Sequence, residues 1–580
     1  MSDAPADSAS LVSPSPAKLE RGPGGEASVR VGAEALAWIG VVIVAALARL
    51  PALGAIPLRL PDSERAFSAW QVAQGRLPDA WNGDIAQTLT AAFFKLFGTS
   101  DGLARLAAAL LGIGLVATCW WLRPFAGRAP ALIAALLIAL SPACVAVARS
   151  LSPYGAGALF AVAATAALFS FLDRPRPEPL AYLAGILGLG FATDASFLVF
   201  LLVAVLFCLI EGAWRGDAAL AGAGAFLREH RQIFFSLVPI WLGGFLLATT
   251  HFGLAPDRLR AAAFRSWSDA FGGSGGIPWH FPFDTLLAYE PLLLGGGVAG
   301  ILIIWLRPWN EGQSLFDRWL LYWIAGALLF VLLAPNREMG QLPMLLVPLA
   351  LAAGVAVARG LARSVWGDLR IAALPALIAL AAFVYVLFML ESSTVQMTLP
   401  NEQVIALIVL LAGGVGLLIL GAVWAGGSAP TYLTVWGLVF GFAFALHALT
   451  TVGFGAGDEF LLGPVAAQDA PAFGQEVTRI GPSLSGPVSL TPNLAQPLNW
   501  YTRAYPGVIV EPGNGTSGGI VQSVDQATPA GFQPLIASNE VARAWYPASI
   551  DFEGIVRWLL YRQAWGQARP TRAEFLIKST

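Results

Sequence analysis

The feature that most constrains this chain is a succession of apolar runs separated by polar loops, most of the runs long enough to cross a bilayer. They begin near Ala35, Leu103, Ala129, Gly155, Leu180, Ser196, Ile233, Leu292, Trp319, Met344, Ile371, Val404 and Thr431, which predicts roughly thirteen spans. The pair from Leu180 to Ile210 reads either as two spans or as one long kinked segment. Of 580 residues, 57% are hydrophobic and 12% charged, the balance of an integral membrane protein. A formal net charge of −2 argues against nucleic acid as a partner.

Arginines mark the orientation. They recur in alternate loops (Arg123 and Arg128, Arg174 and Arg176, Arg215 to Arg231, Arg307 and Arg318, Arg359 to Arg370), which the positive-inside rule assigns to the cytoplasm. The opposite loops then face outward, and an odd number of spans sends the chain's end outward too. Residues 1–32, rich in Ser, Pro, Ala and Gly, read as a disordered cytoplasmic tail; the first span is an uncleaved anchor. Residues 33–452 form the transmembrane region, with a first outward loop at about 55–100. Residues 453–580 read as a small extracytoplasmic α/β domain. In it, Pro487 to Leu490, Gly507 to Val510 and Gly519 to Val524 are short apolar segments between turn residues, followed by a helical stretch from Phe552 to Ala564. Asn514-Gly515-Thr516 has the form of a glycosylation sequon, which a Gly-rich turn produces by chance. The expected fold class is therefore an α-helical polytopic membrane protein with a small C-terminal α/β domain.

Cys119, Cys144 and Cys208 lie inside apolar runs and read as small core residues, without metal or disulfide spacing. The four histidines form no ligand motif. The acids can bind a divalent cation weakly, but no coordination spacing demands one, and no other cofactor is implied.

Chemistry-bearing residues gather on the outward side. Asp62 and Glu64 follow the first span, and an acid beside a bilayer is costly to keep there. Asp84 follows in the same loop, and Arg105 opens the second span. Arg149, Asp194, Trp279, His280, Glu290, Arg337 and Glu338 lie in or beside later outward loops. A transferase that moves sugar from a polyprenyl phosphate needs such a set. A carboxylate accepts the acceptor's hydroxyl proton, and a cation stabilises the departing phosphate. Asp62 is the expected base, Glu64 shapes the acceptor site, and Arg337 or Arg149 holds phosphate. Each has a structural alternative: Asp62 as the cap of a helix from Ser63 to Gln74, Asp84 as the start of the next helix, and Arg149 as an interfacial anchor.

Several stretches resemble a known family. Leu96-Phe97-Gly98-Thr99-Ser100-Asp101 through Arg105-Leu106, and Gly127-Arg128 through Leu140-Ser141-Pro142, look like membrane glycosyltransferases of the GT-C fold. The likeness is to protein-mannosyltransferase and aminoarabinose-transferase relatives, and more narrowly to the prokaryotic flippase-activity-associated family. Pro278-Trp279 with Tyr289-Glu290, Arg337-Glu338-Met339, Pro497 through Arg503, and Trp558 through Arg562 add to it. The resemblance implies an outward-facing site, an acidic base in the first outward loop, and a polyprenyl-phosphate sugar donor. It implies an inverting hexosyl or pentosyl transferase of envelope glycan or glycoprotein assembly. The family's adjacent Asp-Glu pair is split here by Ser63. Other family charges are replaced around Trp81, Asp194 and Arg337. These departures motivate an alternative: a non-catalytic relative that binds or helps present lipid-linked sugars. A solute transporter is disfavoured, because no internal repeat is evident and the charges sit mostly at span ends.

Overall fold

The computed structural model describes residues 32–78, 81, 84–152, 154–191, 193–250, 253, 271–272, 278–306, 314–362, 373–381, 383–384, 419, 423, 429–454, 459–512, 517–545, 554–555, 558–559, 562 and 569–579. Helix α1 (Ala33–Arg49) is followed by α2 (Leu60–Ala73), α3 (Ile85–Phe97) and α4 (Asp101–Thr118). Six helical stretches among the described residues are long and apolar enough to cross a membrane, or nine if each of three bent pairs counts as one span. The expected spans near Ile371 and Val404 lie mostly outside the described residues. α1 has 17 residues and the helix Pro177–Phe191 has 15, so they rise only about 26 and 22 Å. The Leu180–Ile210 pair is two helices, Pro177–Phe191 and Ala195–Cys208.

Membrane helices pack closely where side chains are small. Gly300 meets Ala352 so tightly that a Cβ there would stand 1.9 Å from the Ala352 carbonyl oxygen. Two of the bent pairs are tied at their breaks. Arg128–Leu140 turns by 63° into Pro142–Ala148, and Phe281–Tyr289 by 104° into Pro291–Trp305. Glu290, at the second break, accepts from Ser141 Oγ (2.6 Å) and Ala143 N (2.9 Å) at the first. Helix ends leave carbonyls without partners. Buried Arg49 takes those of Ile138 (3.0 Å) and Ala139 (2.9 Å) beside the first break.

The C-terminal region carries a six-stranded sheet of order β1-β5-β6-β4-β2-β3. Its strands are β1 (Val465–Ala466), β2 (Val488–Leu490), β3 (Val508–Val510), β4 (Gly519–Ser523), β5 (Phe532–Ala544) and β6 (Arg569–Lys578). β2 pairs in parallel with β3 and β4, and the other pairings are antiparallel. The amphipathic helix Ala470–Ile480 buries Ala470, Phe473, Gly474 and Val477. The expected helix Phe552 to Ala564 lies largely outside the described residues, and the sequon wholly so.

The sheet region and the first loop are joined. Asp101, at the start of α4, accepts from Trp500 Nε1 (2.7 Å) and Tyr501 Oη (3.0 Å). Leu58 N donates to Tyr501 Oη (3.0 Å), and Arg59 bridges to Val465. The helical stretch that Asp101 opens runs to Ala126. Near its far end Arg123 pairs with Glu34 (3.0 Å), and Arg128 also reaches Glu34 (3.6 Å). The sheet region and this arginine pair therefore sit at opposite ends of one span.

Candidate functional site

α2 begins at Leu60, earlier than the sequence suggested. Pro61 has no N–H to donate, which suits the first turn, where donors lack partners. Arg59 occupies the capping position, so Asp62 is not the cap. It is a first-turn acid, favoured by the helix dipole, and its residue is 1% exposed. Its Oδ2 is buried without a hydrogen-bond partner. A buried, unsatisfied carboxylate oxygen is expensive, so such a group calls for an explanation.

Two guanidinium groups lie in the field of Asp62. Arg105, buried in α4, lies in the field of Asp62 first, then Asp101 and Tyr501. Its amino groups donate to the carbonyls of Leu53 (2.7 Å), Ile56 (2.6 Å) and Pro57 (2.8 Å), fixing the loop that leads into α2. Arg65, one turn beyond Asp62, donates to Leu151 O (2.9 Å). Burial alone would lower the Arg65 pKa, but Asp84, Glu338, Asp62 and Tyr154 together raise it above the ordinary value. Arg65 is thus the hub at which α2, the start of α3, the Glu338 loop and the helix Tyr154–Asp173 converge.

Asp84 does start α3: its Oδ1 accepts from Gln87 N (2.8 Å). Burial pushes its carboxyl above the usual carboxylate range, against the pull of Arg65 and the Gln87 and Ala86 amides. Capping and membership of the cluster are compatible, since Gln87 Nε2 also donates to Arg65 O (3.0 Å). Asp194 caps the helix Ala195–Cys208 through Ser196 N (2.8 Å) and Phe197 N (3.2 Å), and Ser196 Oγ also donates to it. Its Oδ2 is buried without a partner, and a Cβ on Gly157 would stand 1.9 Å from that oxygen. Tyr154 lies in the field of both Glu338 and Asp194, which links Asp194 to the Arg65 hub.

Other expected residues are placed differently. Glu64 is exposed and accepts from Gln496 Nε2 in the C-terminal region. Arg149 donates to the carbonyls of Arg49 (3.1 Å), Pro51 (2.8 Å) and Ala52 (3.1 Å). Arg337 donates to Val331 O (3.1 Å) and Leu332 O (2.5 Å) at the end of the helix Leu315–Leu333. Glu290 ties the two helix breaks. Trp279 is 62% exposed, and His280 Nδ1 meets Asp284 Oδ2 at 2.6 Å. Arg65 belongs to the outward polar residues of the first loop, but the sequence assigns it no role; its i,i+3 spacing from Asp62 is the available signal. Among the described residues, no three His, Cys, Asp or Glu side chains are grouped to hold a metal ion.

Residues 85–227 match the sequence family described as dolichyl-phosphate-mannose-protein mannosyltransferase. The match takes in Arg105, Arg149 and Asp194, and begins just after Asp84. No curated protein matches the chain in sequence. Among solved structures, apo ArnT from Cupriavidus metallidurans is 16% identical, with a TM-score of 0.49 over 81% of this chain and 84% of that one. The same protein bound to undecaprenyl phosphate is 18% identical, with a TM-score of 0.46 over the same shares. The apo oligosaccharyltransferase of Archaeoglobus fulgidus is 13% identical, with a TM-score of 0.45 over 81% of this chain and 64% of that one. The chain is a polytopic helical membrane protein, similar over residues 85–227 to the mannosyltransferase family.

Proposed function

We propose that this protein is a membrane glycosyltransferase that moves a sugar from a polyprenyl-phosphate carrier to an extracytoplasmic hydroxyl-bearing acceptor. The observation that carries this reading is the Asp62 carboxylate, buried with one oxygen unpartnered and sharing its field with Arg65 and Arg105. The family matched by residues 85–227 is named for a lipid-phosphate sugar donor, which supports the donor class.

In the proposed reaction Asp62 Oδ2 accepts the proton of the acceptor hydroxyl as its oxygen attacks the anomeric carbon. The bond from that carbon to the phosphate oxygen breaks, and its electron pair leaves with the lipid phosphate. Attack opposite the leaving group inverts the anomeric configuration. Arg65, which also donates to Leu151 O, is the favoured cation for the developing phosphate charge, because it lies in the field of Asp62, the proposed base. In this reading the first loop and residues 453–580 lie outside, and the arginines paired with Glu34 lie in the cytoplasm, as the positive-inside rule requires.

The test is sugar transfer by the purified chain in liposomes, with radiolabelled polyprenyl-phosphate mannose and release of polyprenyl phosphate as the readout. One observation favours the alternative of a non-catalytic carrier-binding relative: Asp62 and Glu64 face opposite ways and do not act as a pair. Binding of the donor without any release of polyprenyl phosphate would select it.

A further inference from the structure

A cleft of about 980 Å³ lies between the sheet region and the start of α4, and Asp62 does not line it. One wall is the loop Gly54 to Pro57 with Thr99 to Gly102, and the other comes from the helix Ala470–Ile480 and from Tyr501 to Ala504. We propose that this cleft is a carbohydrate-docking site that holds the non-reacting part of the acceptor. Its role as acceptor site rests on the transferase reading; its carbohydrate chemistry does not.

The lining suits a sugar better than a lipid tail or a lone anion. Along the helix Ala470–Ile480, Pro471, Gln475, Thr478 and Arg479 follow the helical period and face the cleft, while the opposite stripe is buried. Gln468 and Gln475 are exposed there, and their amides carry both donors and acceptors for vicinal hydroxyls. Trp70 and Tyr501 line the cleft, and aromatic rings suit the apolar face of a sugar. A lipid tail would want continuous apolar walls. A lone anion would meet Asp101 beside Arg503.

The Tyr501 side of the cleft is fixed in advance. Asp101 holds both Trp500 and Tyr501, and the Arg503 guanidinium lies 3.7 Å from the centre of the Trp500 ring. A site held rigid before binding loses less freedom when the ligand arrives. The volume is at the upper end for small-molecule pockets, roughly 300–1,000 Å³, and leaves room for more than one sugar ring. The cleft also communicates with Asp62. Arg105 lies in the field of Asp62, Asp101 and Tyr501, and it pins the carbonyls of the loop that forms the cleft wall.

The test is saturation-transfer NMR on the full chain in detergent, with mannotriose, chitotriose and a uronic-acid trimer as probes. Wild type is expected to give transfer to at least one probe. The Gln468→Ala/Gln475→Ala double variant should weaken that binding by about tenfold, the cost of two lost polar contacts. Gln475→Trp, which fills the cleft from an exposed position, should abolish it. No saturation transfer to any probe, or binding unchanged in both Gln variants, overturns the proposal. Variant-sensitive binding in a protein that never releases polyprenyl phosphate keeps the docking site and removes the transferase reading.

Discussion

Asp62 and Glu64 stand two residues apart on α2 and face opposite ways: Asp62 is 1% exposed beside two arginines, while Glu64 is exposed and bonded to Gln496. Two helical positions separate side chains by about 200°, so the two acids cannot share one substrate atom. The split assigns them different tasks. Glu64→Gln keeps a partner for Gln496 and should change the rate of sugar release by less than about tenfold, far below the loss of an acid–base group. A loss comparable to that of an Asp62 variant would place Glu64 in the chemistry.

Arg65 carries a charge that three acids and a tyrosine share. Arg65→Met should weaken transfer by about 10²-fold or more, the usual cost of losing an electrostatic stabiliser of the transition state. Arg65→Lys should recover part of that rate. Steady-state kinetics with polyprenyl-phosphate mannose checks both; equal activity in all three proteins would remove Arg65 from the site.

Asp84 gives a pH signature. Burial raises its carboxyl pKa in the fold, so the folded state binds that proton more tightly than the unfolded state does. Its contribution to stability is therefore present below the ordinary carboxylate value and is lost as pH rises through the folded value. Asp84→Asn keeps an efficient helix cap and removes the titration. The variant should gain stability relative to wild type as pH rises through and above the ordinary carboxylate range, read as thermal midpoints in detergent. Parallel midpoints across that range would contradict the assignment. Asp84→Ala, which loses the cap, should cost about 1 kcal/mol.

Arg49 is a structural counterpart. It is fully buried and satisfies the Ile138 and Ala139 carbonyls beside the break before Pro142. Arg49→Met should destabilise the protein by about 1–3 kcal/mol, because buried carbonyls lose their donors. A thermal midpoint equal to wild type would contradict that role.

Much of this was legible in the sequence, and the failures have physical causes. The apolar runs marked the membrane helices, and Val488–Leu490, Val508–Val510 and Gly519–Ser523 stood out as strands because their segments are apolar and bounded by turn residues. β5 and β6, of 13 and 10 residues, were not legible, since their faces are partly exposed and β6 carries Arg572 and Glu574. The acid-bearing loop after the first span was found, but its helical phase was not. Pro61 reads as a break, yet it sits inside the first turn, so the helix starts three residues earlier than Ser63 and Asp62 is a first-turn residue rather than the cap. Arg337 or Arg149 is the phosphate ligand the sequence suggests, with an interfacial anchor as the other reading of Arg149, and in the structure both donate to main-chain carbonyls. A sequence does not distinguish a guanidinium aimed at a ligand from one spent on the carbonyls of a helix end or loop.

The central claim, that Asp62 removes the acceptor's proton, is tested most directly by Asp62→Asn in single-turnover transfer from polyprenyl-phosphate mannose. The account predicts a fall of about 10²–10⁴ in the rate of the chemical step, with donor binding retained. An unchanged rate in this variant would contradict it.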